Sequence, residues 1–477
     1  MLFNTLEFAA FFGVTFVVAW ELARLRAVWP RLGFLLVASY SFYSFWSWRY
    51  GPLLFGSSTV DYVLAQRIAR SRRHSTRRLL LVVTVVSNLG LLAVFKYGAF
   101  VTESLRALRP IVGATTAPTA DAVIATLPPV GISFFTFVSM AYVIDVYRGR
   151  LAPHQSYLRY LVFVAFFPHL VAGPIVRAQD LLPQLERPAR LSRRESGEGF
   201  FLVALGLVKK VVISDVLSTN LVDRVFADPL HHSAVETLAA VYGYAVQIYC
   251  DFSGYSDIAI GLALLLGVRF PANFDAPYQA TDLVAFWRRW HISLSSWLRN
   301  YLYVPLGGNQ GGRLLTYRNL MVTMVLGGLW HGASWTFVSW GALHGLGLVV
   351  VRVLGGETGS GAPQRSVAER LAAWFVTFHF VCFAWVFFRA SSFHNAAAVF
   401  RQLGARGGGA GLLSPLMTGW LAMSLAALSV PRRVVGSLRE RFIGLPAWLQ
   451  GGVLFLVAVL LHEVSSAERV PFIYFQF

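Results

Sequence analysis

What this chain has little of is charge. Asp, Glu, Lys and Arg make up 13% of its 477 residues, and none occurs between Arg318 and Arg352. Soluble domains carry about 25%, so an ordinary soluble globule is excluded. Cysteine is nearly absent as well: Cys250 and Cys382 both stand in apolar surroundings. That is too few for a disulfide framework or a metal cage, and they read as small buried hydrophobes. No Lys or Arg precedes Arg24, while Glu7 does. That flank is wrong for a cleavable signal peptide, so the first apolar segment is expected to stay as a span with its N-terminus outside. No internal repeat, G-x-S-x-G elbow, H-E-x-x-H or dinucleotide fingerprint is visible.

What is present is apolar: 56% of the residues are hydrophobic, and the mean hydropathy is +0.58. Charge-free windows run over 32–48, 79–95, 122–144, 160–176, 371–388, 407–431 and 442–462. A helix needs about 20 mainly apolar residues to span a bilayer, with a lower limit near ~17. The chain therefore reads as an all-α polytopic membrane protein. A β-barrel is excluded, because its strands would be short and alternating. One integral-membrane domain over 1–477 is the simplest organisation, with "GGETGSGAP" (355–363) and "GARGGGAG" (404–411) as surface connections.

The net charge of +18 is carried largely by short loops, "RIARSRRHSTRR" (67–78), "RPARLSRRE" (187–195) and "RRVVGSLRER" (432–441). Such clustering marks cytoplasmic loops. It places 24–31 (with Arg24, Arg26 and Arg31) and 67–78 inside, and 102–128 outside. The partner of the basic residues is then the lipid bilayer and not nucleic acid, for which no module is present.

Two regions break the simple succession of spans. Pro128, Pro129, Pro168 and Pro174 interrupt 122–176, which predicts re-entrant or broken helices, tolerated only where they line an enclosed cavity. The 33 residues of 319–351 would reach about 50 Å as one helix, well beyond a ~30 Å hydrocarbon core. Gly327, Gly328 and Gly332 are expected to mark a bend there, with His331 at it. An ionisable residue within a membrane segment is a functional candidate by default. A neutral imidazole packed between helices, with Trp330 and Trp335 as ordinary neighbours, is the plainer alternative. His344 and His379 read as structural.

In 281–309, Leu283, Phe286, Trp287, Trp290, Leu294, Trp297, Leu298 and Tyr301 recur at helical spacing, while Arg288, Arg289, Arg299 and Asn300 fall elsewhere. The pattern predicts a basic amphipathic helix lying in the membrane interface on the cytoplasmic side. His291 stands at the edge of its stripe, directed at an opening beneath the membrane domain. In "QIYCDFSGYSDIAIG" (247–261), Asp251 and Asp257 need partners, which Tyr249, Ser253, Tyr255, Ser256 or the lysines Lys96, Lys209 and Lys210 can provide. A structural polar knot and a catalytic role are equally compatible with them. "GGNQGG" (307–312) lacks the Gly-Lys-Ser/Thr of a phosphate cradle and reads as a flexible turn. At this point a membrane enzyme and a transporter remain open.

"WRRWHISLSSWLRNYLYVPLGGN" followed by "LGGLWHGASWTFVSWGALHG" resembles the membrane-bound O-acyltransferase family, in its alginate O-acetyltransferase branch. Supporting stretches are "PVGISFFTF" (129–137), "YVIDVYRG" (142–149), "FFPHLVAGPIVR" (166–177), "YCDFSGYSDIAIG" (249–261) and "PFIYFQF" (471–477). Asp275 in "NFDAPY" stands where relatives often have Asn. The resemblance implies a ring of transmembrane helices around a central tunnel, in a bacterial cytoplasmic (inner) membrane. It implies His331 as the catalytic histidine and His291 as a second functional one nearer the cytoplasmic entrance. Trp330, Asp251, Ser253, Tyr255, Asp257, Asn273, Arg288 and Arg289 are the supporting candidates. It further implies that no cofactor is bound and that the co-substrate is a cytoplasmic acyl thioester, acetyl-CoA or an acyl carrier. The implied acceptor is an extracytoplasmic polysaccharide, reached directly or through a periplasmic or extracellular acetyltransferase partner. D-alanyl or longer-chain transfer on the same scaffold is the alternative within the class, and a membrane transporter the one outside it.

Overall fold

The computed structural model describes residues 1–112, 129–355, 366–407, 409, 411–464 and 472. Pro128, most of loop 102–128, nearly all of 355–363, Gly408 and Ala410 of the second glycine-rich break, and all of 471–477 except Phe472 lie outside the described residues. Among the described residues the regular structure is helical, without a strand. Among the same residues, six helices are long and apolar enough to cross a membrane, and a bent pair makes up to seven. The all-α polytopic reading therefore stands.

The chain forms two compact units. One comprises Met1–Leu191, Leu266–Phe270 and Gly332–Ser334; the other comprises Ser192–Leu265, Pro271–His331 and Trp335–Phe477. In the first, α1 (Leu6–Ala23), α2 (Trp29–Ser47), α3 (Gly51–Arg70), α4 (His74–Leu92), α5 (Gly98–Val112) and α6 (Ile132–Tyr147) are followed by α7 (Tyr157–Ala165), α8 (Phe167–Leu170) and α9 (Ala178–Leu185). The break expected in 122–176 occurs at Phe166, between α7 and α8, with Pro168 inside the short second piece. Arg31 is not a loop charge, as the positive-inside count assumed. It lies within α2, is buried, and donates to the carbonyl oxygen of Leu266.

The second unit opens with α10 (Arg193–Leu207), which continues as a π-helical stretch over Val208–Asp215 to α11 (Asp223–Ala227) and α12 (Ala234–Leu265). Gly199 and Gly206 of α10 face Gly261 and Gly254 of α12. A Cβ at Gly206 would lie 2.4 Å from the Gly254 oxygen, and one at Gly261 2.6 Å from the Gly199 oxygen. Small residues let these backbones touch, the usual way apolar helices associate in lipid. No charge-free window marked α12, because Glu236, Asp251 and Asp257 interrupt it. It nevertheless passes as a span and is mostly buried, since its charges are paired inside the protein.

Next come α13 (Leu283–Arg289), α14 (Ile292–Leu298), α15 (Arg313–His331), α16 (Trp335–Val353), α17 (Val367–Arg389), α18 (Phe393–Leu403), α19 (Pro415–Leu428), α20 (Arg432–Gly444) and α21 (Ala447–Val464). The long charge-free run is two helices, and the bend falls at 332–334, just after His331. Gly327 and Gly328 do not make it. They lie within α15, and Gly328 serves a close approach: a Cβ there would sit 2.3 Å from the Phe337 oxygen and 3.1 Å from the Gly341 Cα. Backbone atoms cannot step aside. Gly328→Ala should therefore sit at the upper end of overpacking penalties, about 3 kcal/mol, and lower the melting temperature of the detergent-solubilised protein. Unchanged melting would refute that close approach.

The interfacial amphipathic helix also needs correction. It is broken in two, and its stripe faces protein: Leu283, Phe286, Trp290, Leu294, Trp297, Leu298 and Tyr301 are all buried. The turn 307–312 is fastened and not flexible. Asn319 donates to the Gly308 oxygen at 3.1 Å, and Arg352 to the Asn309 side chain at 3.1 Å.

Candidate active site

The break between α13 and α14 falls on His291. Trp290 is extended, and His291 takes the left-handed conformation, φ 42° and ψ 57°. A non-glycine residue rarely stays there unless its surroundings hold it. Asn273 and its neighbours do so. Ile292 N–H donates to the Asn273 carbonyl at 2.8 Å, and Asp275 N–H donates to the Arg289 carbonyl at 2.9 Å. The Asn273 side-chain oxygen accepts from Ser293 Oγ at 2.9 Å, while its amide donates to Ser256 Oγ at 3.0 Å. Asn273 therefore clamps the backbone just after His291, and the Asp275 N–H holds it just before.

The His291 ring is fully buried and lies 4.5 Å from Phe252, edge to face. It is 6.1 Å from Trp330 and 6.4 Å from His331, centroid to centroid. His331, at the last position of α15, is also buried. Its ring meets Trp330 at 5.0 Å, Trp340 at 5.1 Å and Phe388 at 5.2 Å. Two histidines far apart in sequence thus share one aromatic enclosure. His291 belongs to no helix that passes as a membrane span. Burial pushes its ring from the ordinary 6.5 down to about 3, so it is neutral at physiological pH. The expectation that it faces an opening is corrected by its complete burial.

The other candidates separate into groups. Lys210 bridges Asp215 and Asp251, each at 2.7 Å, and Lys209 holds Asp257 at 2.6 Å. Both lysines come from the π-helical stretch, whose wider turn presents two consecutive lysines to carboxylates six residues apart on α12. Ser253 is buried on the same helix. Tyr255 stacks on Phe472 at 4.6 Å, and Phe472 in turn lies 5.7 Å from Phe252. Arg288 is exposed and Arg289 half-buried, so neither enters the enclosure. Asp275 pairs with Arg432, a role an Asn at that place would not fill. Trp335 is 54% exposed and does not narrow the site.

Sequence reasoning missed Phe252, Phe274 and Phe388. One phenylalanine among 38 carries no local signal, and only packing brings these three to the histidines.

Comparison with known proteins gives consistent results. The model of MBOAT, the membrane-bound O-acyltransferase family, matches residues 123–393. The chain is 38% identical to a probable alginate O-acetylase of Pseudomonas putida, over 93% of this chain and 94% of that protein. It is 36% identical to a peptidoglycan O-acetyltransferase of Helicobacter pylori, over 84% and 80%. A teichoic acid D-alanyltransferase of Streptococcus thermophilus is 29% identical over 53% of this chain and 63% of its own length.

Proposed function

Since the chain belongs to the membrane-bound O-acyltransferase family and is a multi-pass membrane acyltransferase, we propose that it moves acetyl from a cytoplasmic thioester to hydroxyls of an extracytoplasmic polysaccharide. The observation that carries this reading is the burial of His331 and His291 together in an aromatic enclosure, with ring centroids 6.4 Å apart. An alcohol is a weak nucleophile at neutral pH and needs a base as it attacks. His331 takes the hydroxyl proton, the oxygen attacks the acyl carbon, the carbon–sulfur bond breaks, and the proton passes to the departing thiolate. The products are an O-acyl ester and a free thiol, with no cofactor consumed.

Trp330, Trp340 and Phe388 surround that base and keep out the water that would hydrolyse the thioester. His291, being neutral, can orient or polarise a substrate group but cannot act as a standing cation. Steering of an anionic donor falls to Arg288 and Arg289 on the outer side of α13. The inner membrane of a bacterium is the setting in which a cytoplasmic thioester and an external glycan meet across one bilayer.

Acetyl is preferred over D-alanyl because the relatives named for O-acetyl transfer match over most of both chains, whereas the D-alanyl relative matches over about half of this one. The test is to supply purified protein in liposomes with labelled acetyl-CoA inside and alginate or a peptidoglycan fragment outside. Ester-linked label on the glycan supports the reading. Label that never leaves the thioester, with transfer from a D-alanyl or longer-chain acyl-carrier thioester instead, overturns it.

A further inference from the structure

Beside His331, α16 holds two buried N–H donors that nothing among the described residues accepts. Trp340 is 1% exposed, and its indole nitrogen has no hydrogen-bond partner among the described residues. His344, one turn further along the same helix, is fully buried. Its Nδ1 accepts the Trp287 indole N–H at 3.3 Å. A nitrogen that accepts carries no proton, so in the neutral ring the proton lies on Nε2. That Nε2 likewise has no partner among the described residues. The two rings are 4.9 Å apart, and the Trp340 ring stands edge-on to His331 at 5.1 Å.

Buried donors are almost always satisfied in folded proteins, and an exception calls for an explanation. Packing alone does not supply one here. The stacking of Trp340 on Trp385 at 5.6 Å would be served as well by phenylalanine, and the Trp287 bond uses only the other nitrogen of His344. Both donors lie on the helix that faces the base, where a substrate oxygen would be the natural acceptor.

Resting on the acyl-transfer reading, we propose that Trp340 Nε1–H and His344 Nε2–H hold the acyl carbonyl oxygen of the thioester and stabilise its negative charge as the hydroxyl adds. His331 takes the hydroxyl proton and returns it to the thiolate. The two donors give up no proton, and their hydrogen bonds strengthen only while the carbonyl carbon is tetrahedral. They are preorganised among buried aromatic rings, where such bonds do most to lower a barrier.

The experiment uses acetyl-CoA carrying an isotope-labelled carbonyl, bound to full-length His331→Gln protein, which cannot turn it over. The expected result is a shift of the carbonyl stretch to lower frequency on binding. Trp340→Phe in that background should reduce the shift. With His331 intact, it should lower kcat by roughly 10²-fold while leaving KM nearly unchanged. A folded Trp340→Phe protein with wild-type kcat and an unmoved carbonyl band overturns the proposal. If Trp340→Phe does not reach the membrane, His344→Phe is judged by the same two readouts and decides. If the wild type itself transfers no acetyl and shifts no band, the acyl-transfer reading has failed, and this proposal with it. Wild-type transfer with indifferent variants sinks this proposal alone.

Discussion

His331→Ala protein should accumulate in the membrane like the wild type and transfer no measurable acyl group. The ring occupies the C-terminal position of α15, and the helix ends there in any case. Removing it therefore breaks no helical register. On the proposed mechanism, what is lost is the base. General-base catalysis contributes roughly 10²–10⁴-fold, so the alanine variant falls to a small fraction of wild-type turnover. His331→Gln, which keeps the volume and a hydrogen-bonding group but cannot accept a proton at neutral pH, should be as inactive. Releasing ester-linked acetate from the surface glycans by mild alkali, at matched membrane levels, checks both. Wild-type acetate from either variant would remove His331 from the chemistry and leave it as a packed ring.

Lys210→Met gives the second large effect, and it is one of stability. The ammonium lies between Asp215 and Asp251 at 2.7 Å from each, with all three side chains nearly out of solvent. Breaking a buried pair by removing one partner costs about 3–5 kcal/mol, because the uncompensated charge remains. Here two carboxylates are left facing each other. Little folded Lys210→Met protein is expected, as read by membrane abundance and by thermal melting after solubilisation. The triple change Lys210→Met, Asp215→Asn and Asp251→Asn removes all three charges together and should recover much of the stability. Its activity then separates the two roles open for Asp251: transfer near the wild-type level makes the cluster a structural knot, whereas a stable but inactive protein makes Asp251 part of the chemistry.

The glycine contacts and the charge pairs bear on the same point. In a bilayer the apolar surface of a helix costs nothing to expose, so association depends on backbones that can touch and on polar groups that have no other partner. The Gly199/Gly261 and Gly206/Gly254 approaches of α10 and α12 and the two lysine clamps between the same helices are those two devices side by side. They hold α12 still, and α12 carries Phe252 against His291 and Ser256 against Asn273.

Composition and periodicity by themselves determined the class of this protein. Lack of charge over membrane-length windows, together with basic loops, leaves only a helical membrane protein, because an unpaired backbone or charge in lipid has no water to turn to. The exceptional position of His331 was legible for the same reason: it and His344 are the ionisable residues in a run of 33 residues otherwise without charge, and His331 is the one beside the expected bend. The bend after it followed from length alone, since that run is too long for one span. Where windows failed, at α12, they failed because charge content was read without its partners. Asp251 and Asp257 look prohibitive until Lys210 and Lys209 are placed beside them, and those pairings join residues far apart in the chain, 48 positions in the case of Lys209 and Asp257.

Tertiary structure alone decided the site. A helical stripe over 283–301 looks the same whether it meets lipid or protein, and only packing shows that it meets protein. The same periodicity runs through His291 without a mark, yet the chain breaks there, because Asn273 binds the backbone on the far side of it and holds a left-handed turn. The gathering of His291, His331, Trp340 and Phe388 depends on four separate helical segments, whose approach no local pattern encodes. An enclosure is a property of surfaces that face one another, and a sequence records each of those surfaces only singly.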